Sequence, residues 1–88
     1  MKTSLIIPAW NAEKTISDCI ISSIEADNSP EEIIIVDDCS EDKTINVILN
    51  LQKIYPKITL LRMAINGGPS AARDYGVHKA KGEVLFFT

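Results

Sequence analysis

Three parts of this chain could do chemistry: the adjacent carboxylates Asp37 and Asp38, the single tryptophan Trp10, and Arg73, which follows the glycine pair Gly67-Gly68. An ionised carboxylate only accepts hydrogen bonds, so it suits the N3–H of uracil and meets a lone pair on cytosine N3. A tryptophan face can stack on a base, and an arginine can donate to a base carbonyl or a phosphate. Gathered in one crevice, these parts fit a pyrimidine nucleotide. Each also has a plain structural role. The acids could end a strand and cap the next helix, Trp10 could be a surface staple, and Arg73 could be a solvated partner of Asp74 or Glu41. The remaining reactive types offer less. Cys19 falls on the apolar face of an expected helix and reads as a small core residue, Cys39 reads as a loop substitution rather than a nucleophile, and His78 has no assigned role.

The positions of these residues depend on the stretches before them. Ile33-Ile34-Ile35-Val36 is an unbroken β-branched run, the pattern of a strand buried on both faces of a parallel sheet. It delivers Asp37 and Asp38 to its carboxyl end, where ligands bind in open α/β sheets. A first strand is expected over residues 3–8, stopped by Pro8, with Ala9-Trp10-Asn11 as the loop after it. Asn11 suits the N-cap of a helix over 12–25, with Ile16, Cys19, Ile20, Ser23 and Ile24 on its inward stripe. A second helix opens at Ser40-Glu41-Asp42 and ends at Pro56. Residues 58–62 read as a third strand, and Asn66-Gly67-Gly68-Pro69 as a tight loop in which Pro69 starts a third helix. Ala72, Gly76 and Ala80 give that helix a small-residue stripe for close packing, Gly82 closes it, and residues 83–88 begin a fourth strand. The order βαβαβαβ calls for a three-layer α/β fold with a mostly parallel sheet.

Composition bounds the alternatives. The 88 residues make one domain, and the 45% hydrophobic content suits a globular protein. A net charge of −3 with scattered basic residues leaves no footprint for nucleic acid. Two distant cysteines support neither a disulfide framework nor a metal site, and no segment looks like a signal peptide or a membrane span. The chain reads as cytosolic. Specific nucleotide-binding signatures fail: there is no G-x-G-x-x-G after the first strand and no G-x-x-x-x-G-K-[ST] anywhere. A phospho-receiver domain also shows paired acids, but after its first strand, and it needs an aspartate at the end of the third, where this chain has Leu61-Arg62-Met63.

Taken together, three ordered motifs resemble family 2 glycosyltransferases. Ser4 to Asn11 looks like S-[VI]-I-[IV]-P-x-Y-N. Glu32 to Ser40, continued by Asp42 and Thr44, looks like E-I-I-[IV]-V-D-D-G-S-x-D-x-T. Asn66 to Gly76 looks like N-x-G-x-x-x-A-R-N-x-G, followed by A-x-G-E at Ala80 to Glu83. The resemblance covers essentially the whole chain and departs from the pattern at Trp10 for Tyr, Cys39 for Gly and Asp74 for Asn. It implies the N-terminal half of a GT-A (Rossmann-like) fold with sheet order 3-2-1-4, so that residues 1–88 form one truncated nucleotide-binding subdomain. It implies a nucleotide site built from Pro8, Ala9, Trp10, Asn11, Asp37, Asp38 and Arg73, in which Asp38 accepts from uracil N3–H and Asp37 is structural. It further implies a full-length inverting transferase using a nucleotide-sugar donor, UDP-linked by preference, and a divalent metal, Mg or Mn, held by a later D-x-D. The catalytic base and the metal ligands are expected outside this chain, which is then inactive by itself. A full-length relative could lie against the inner face of the membrane. In a different class, the chain could be a non-catalytic nucleotide-binding or self-associating module, with the apolar fourth strand pairing edge to edge with a second copy.

Overall fold

The computed structural model describes residues 3–27, 29–80 and, through their backbone, 83–86. Its elements run β1 (Thr3–Ala9), α1 (Ile16–Glu25), β2 (Glu32–Asp37), α2 (Thr44–Ile54), β3 (Ile58–Arg62), α3 (Gly68–Lys79) and β4 (Glu83–Phe86). The strands form one sheet in the order β3-β2-β1-β4, and every neighbouring pair is parallel. Ile33 to Val36 are all buried, because β2 lies inside the sheet with helices on both faces. Alternate side chains divide between two cores. Ile7, Ala9, Ile33 and Ile35 face Ile16, Ile20, Ile48 and Leu51 of α1 and α2. Ile6, Ile34 and Val36 face Ala72 of α3. This is the three-layer α/β architecture expected from the apolar runs. No helix among the described residues is long and apolar enough to cross a membrane.

Close approach of α3 depends on Gly76. A Cβ there would lie 2.6 Å from Ile6 Cγ2 and 3.1 Å from Val36 Cγ2, so the helix rests its backbone directly on β1 and β2. Cys19 is half-buried against the α1–α2 core, and burial pushes its thiol pKa up, in keeping with a core role.

Several expected boundaries move. β1 does not stop at Pro8 but runs to Ala9, with Pro8 paired to Val36 in register. Ala9 turns its carbonyl to β2, where it accepts from Asp38 N–H at 2.8 Å. Pro8 therefore faces away from β2, so its missing N–H removes no bond between β1 and β2. α1 begins at Ile16 rather than residue 12, and Asn11 does not cap it; the N-cap position is Thr15, which makes no side-chain cap bond. α2 begins at Thr44 rather than Ser40, and Asp42 accepts from both Thr44 N–H and Glu13 N–H. The third helix ends at Lys79, with Ala80 at its C-cap. Gly82, Phe87 and Thr88, expected to close that helix and extend β4, lie outside the described residues.

Candidate functional site

The carboxyl ends of β1 and β2 and the loop from β3 to α3 meet on one rim of the sheet. There Pro8, Ala9, Trp10, Asp38, Asn66, Gly68 and Pro69 line a cavity of about 310 Å³, at the small end of ligand-sized clefts. Its walls are mostly apolar, and Asp38 is the only charged group among them. Trp10 leaves 57% of its surface exposed, so this indole is not a core residue; it is a π face held at the cavity.

Asp38 is 3% exposed and is held at every polar atom. Its Oδ1 accepts from Gly67 N–H at 2.9 Å and its Oδ2 from Gly68 N–H at 2.8 Å. Its carbonyl accepts from Asn66 Nδ2 at 3.0 Å. The carboxylate thus satisfies backbone donors at the start of α3 from an element some thirty residues earlier, a favourable place for a negative charge. The two amides occupy one acceptor position on each oxygen out of about four on the group. Room for a further donor from the cavity remains.

The glycine turn explains its own composition. Gly68 has φ +84°, a conformation that L side chains rarely adopt. Two non-glycine residues take left-handed backbone at the ends of the neighbouring strands: Asn11 with φ +46° and Cys39 with φ +63°. Asparagine tolerates that region. Cys39 stands where the resembled motif has glycine, and its thiol donates to Met63 O at 3.3 Å, tying the acid turn to the chain after β3.

Not every residue expected at the site reaches it. Asp37 is 1% exposed; its Oδ2 accepts from Ser40 N–H at 3.0 Å, while Oδ1 is buried with no partner among the described residues. Asn11 points its amide oxygen to Glu41 N–H at 2.8 Å, away from the lining residues. Arg73 is half-buried on α3 and also outside the lining; it is paired with neither Asp74 nor Glu41. Pro8, Ala9, Trp10 and Asp38 do converge. Asn66, Gly68 and Pro69 join them: the glycine-rich turn is expected to floor the crevice as the loop leading to Arg73, and it is the turn's own residues, not Arg73, that line the cavity.

Among the described residues, no group of three or more His, Cys, Asp or Glu could hold a metal ion. Asp37 and Asp38 are adjacent, but both spend carboxylate oxygens on backbone N–H groups. The donor set does not fit a divalent cation.

Residues 4–88 match the family described as Glycosyl transferase family 2. A poly(ribitol-phosphate) beta-glucosyltransferase of Bacillus spizizenii is 37% identical over 90 residues, covering 99% of this chain and 14% of that protein. The crystal structure of S. aureus TarS 1–349 in complex with UDP superposes with a TM-score of 0.82 at 34% identity, covering 99% of this chain and 27% of that one. The complex of the same protein with UDP-GlcNAc gives 0.81 at 34% identity, covering 98% and 26%. The chain spans well under a third of each of these relatives.

Proposed function

Because this chain belongs to glycosyl transferase family 2, we propose that its rim cavity is the nucleotide half of a donor site for a nucleotide-linked sugar, with uracil as the preferred base. One observation carries the reading: Trp10 and Asp38, 28 positions apart in sequence, line the same cavity at the carboxyl ends of the strands. The complexes of TarS with UDP and UDP-GlcNAc support it by similarity.

In this arrangement the base lies against the indole of Trp10 and the ring of Pro8, which offer flat apolar surface. Asp38 meets its edge as a pure acceptor. Gly67 and Gly68 hold both carboxylate oxygens in place, so the acceptor is set before ligand arrives and binding loses little side-chain freedom. Uracil offers N3–H to this group, whereas cytosine would place a lone pair against a negative charge. Arg73, half-buried on the helix beside the cavity and with no partner for its guanidinium among the described residues, is the cation for the phosphate side.

In this reading the transferase step inverts the sugar carbon: an acceptor hydroxyl loses its proton to a base and attacks that carbon opposite the departing diphosphate. Among the described residues no group of three or more His, Cys, Asp or Glu could hold a metal ion, and the reading gives this chain the donor-nucleotide site only. Isothermal titration of the chain with UDP, CDP and ADP tests it. UDP is expected to bind on the order of tenfold tighter than CDP, the cost of leaving one buried polar pair unmade. Equal affinity for all three nucleotides, or no binding of UDP, overturns the reading.

A further inference from the structure

Trp10 is exposed, so side-chain packing in the core does not fix it; its backbone must. On its N-terminal side Ala9 O accepts from Asp38 N–H at 2.8 Å. On its C-terminal side three successive N–H groups reach across to the loop between β2 and α2 and to the first residue of α2. Asn11 donates to Ser40 Oγ at 2.9 Å, Ala12 to Thr44 Oγ1 at 2.8 Å, and Glu13 to Asp42 Oδ2 at 3.3 Å. Asn11 alone engages that loop in both directions, because its side-chain Oδ1 also accepts from Glu41 N–H at 2.8 Å. Asn11 makes both contacts, to Ser40 and to Glu41, from left-handed backbone with φ +46°. The far loop is itself braced, with Asp42 Oδ1 accepting from Thr44 N–H at 2.9 Å.

We propose that Asn11 is a positioning residue for Trp10: it locks the loop after β1 onto the loop after β2 and so sets the angle of the indole that faces the cavity. It is not one of the lining residues and acts through its neighbour. The consequence for base binding rests on the nucleotide reading above, while the lock on Trp10 does not.

Trp10 is the only tryptophan in the chain, so fluorescence anisotropy of the unliganded protein reports on this indole alone. Asn11→Gly keeps the left-handed backbone available and deletes the side-chain acceptor, together with the amide NH2 and the restraint that a Cβ places on the backbone. It is expected to lower Trp10 anisotropy and to weaken UDP binding on the order of fivefold, a fraction of what a stacked base is worth. Asn11→Asp returns an acceptor oxygen and is expected to restore both. In a Trp10→Ala background, Asn11→Gly is expected to cost no further affinity, since its effect runs through the indole. Wild-type anisotropy and affinity in Asn11→Gly overturn the proposal, as does an affinity loss that persists undiminished without Trp10. If the wild-type chain binds no UDP, the nucleotide reading fails and takes the affinity arm with it, and the anisotropy arm alone upholds or overturns the lock. Should Asn11→Gly not fold, Ser40→Ala opens the same clamp from the opposite loop and is expected to lower anisotropy in the same way; an unchanged value there overturns the proposal.

Discussion

Replacing Asp38 with asparagine asks whether this carboxylate is first a structural clamp. The side chain is buried and accepts one backbone N–H on each oxygen, from Gly67 at 2.9 Å and Gly68 at 2.8 Å. Asparagine keeps its shape but turns one acceptor into a donor. The surviving bond falls from a charge-assisted value of about 1.5–3 kcal/mol to about 0.5–1.5, and the other N–H is left buried against a second donor at about 1–3 kcal/mol. The sum is a loss of about 3 kcal/mol. Against a total stability of about 4–13 kcal/mol for a domain of this size, that is a large fraction. It corresponds to a fall in Tm of roughly 12–24 °C. Thermal and urea unfolding without nucleotide measures this directly and keeps it apart from any effect on ligand binding. A variant within about 1 kcal/mol of wild type would mean that the carboxylate does not hold the glycine turn in solution, and the preset acceptor in the cavity would fall with it.

Two further outcomes follow from the packing and the loops. Gly76→Ala gains about 1 kcal/mol of helix propensity but drives a methyl to 2.6 Å from Ile6 Cγ2, an overpacking cost of about 1–3 kcal/mol or more; urea unfolding is expected to show net destabilisation, and a stabilised variant would refute the close seating of α3. The partial burial of Asp42 works to raise its carboxyl pKa, but hydrogen bonds from the Thr44 hydroxyl, Thr44 N–H and Glu13 N–H outweigh that and hold it below the ordinary carboxylate value. A depressed pKa adds stability that is fully present above the unfolded value of about 3.9 and lost as pH falls through the folded one. The stability gap between wild type and Asp42→Asn should therefore be constant near neutrality and close in strong acid; a gap that widens on acidification contradicts the assignment.

How much was legible beforehand can be argued residue by residue. The β-branched run at 33–36, the acids after it and the glycine-proline turn each carry a local signal, because backbone propensity and apolar periodicity act over a few positions. They led to the α/β layers and to Trp10 and Asp38 on one rim of the sheet, where both line the cavity. The misplacements share a cause. Asn11 looked like a helix cap because asparagine prefers such positions, yet its amide is taken by Glu41 thirty residues on. Ser40 and Asp42 looked like the first turn of a helix, yet they serve the Asn11 loop. Pro8 looked like a strand end because nothing in the sequence says which neighbour its missing N–H would face. For Asn11 and Ser40 a long-range partner outweighed a local preference worth about 1 kcal/mol.

The identity of the elements, their order and the residue types delivered to the rim were therefore written in the chain itself, since short-range sterics and burial patterns determine them. Which polar groups pair across loops was decided only by folding. Asp38 binds two amides that no spacing links to it, Asn11 braces Trp10 instead of a helix, and Arg73 stays outside the cavity walls, because hydrogen-bond partners are chosen by proximity in space and sequence distance carries no information about that.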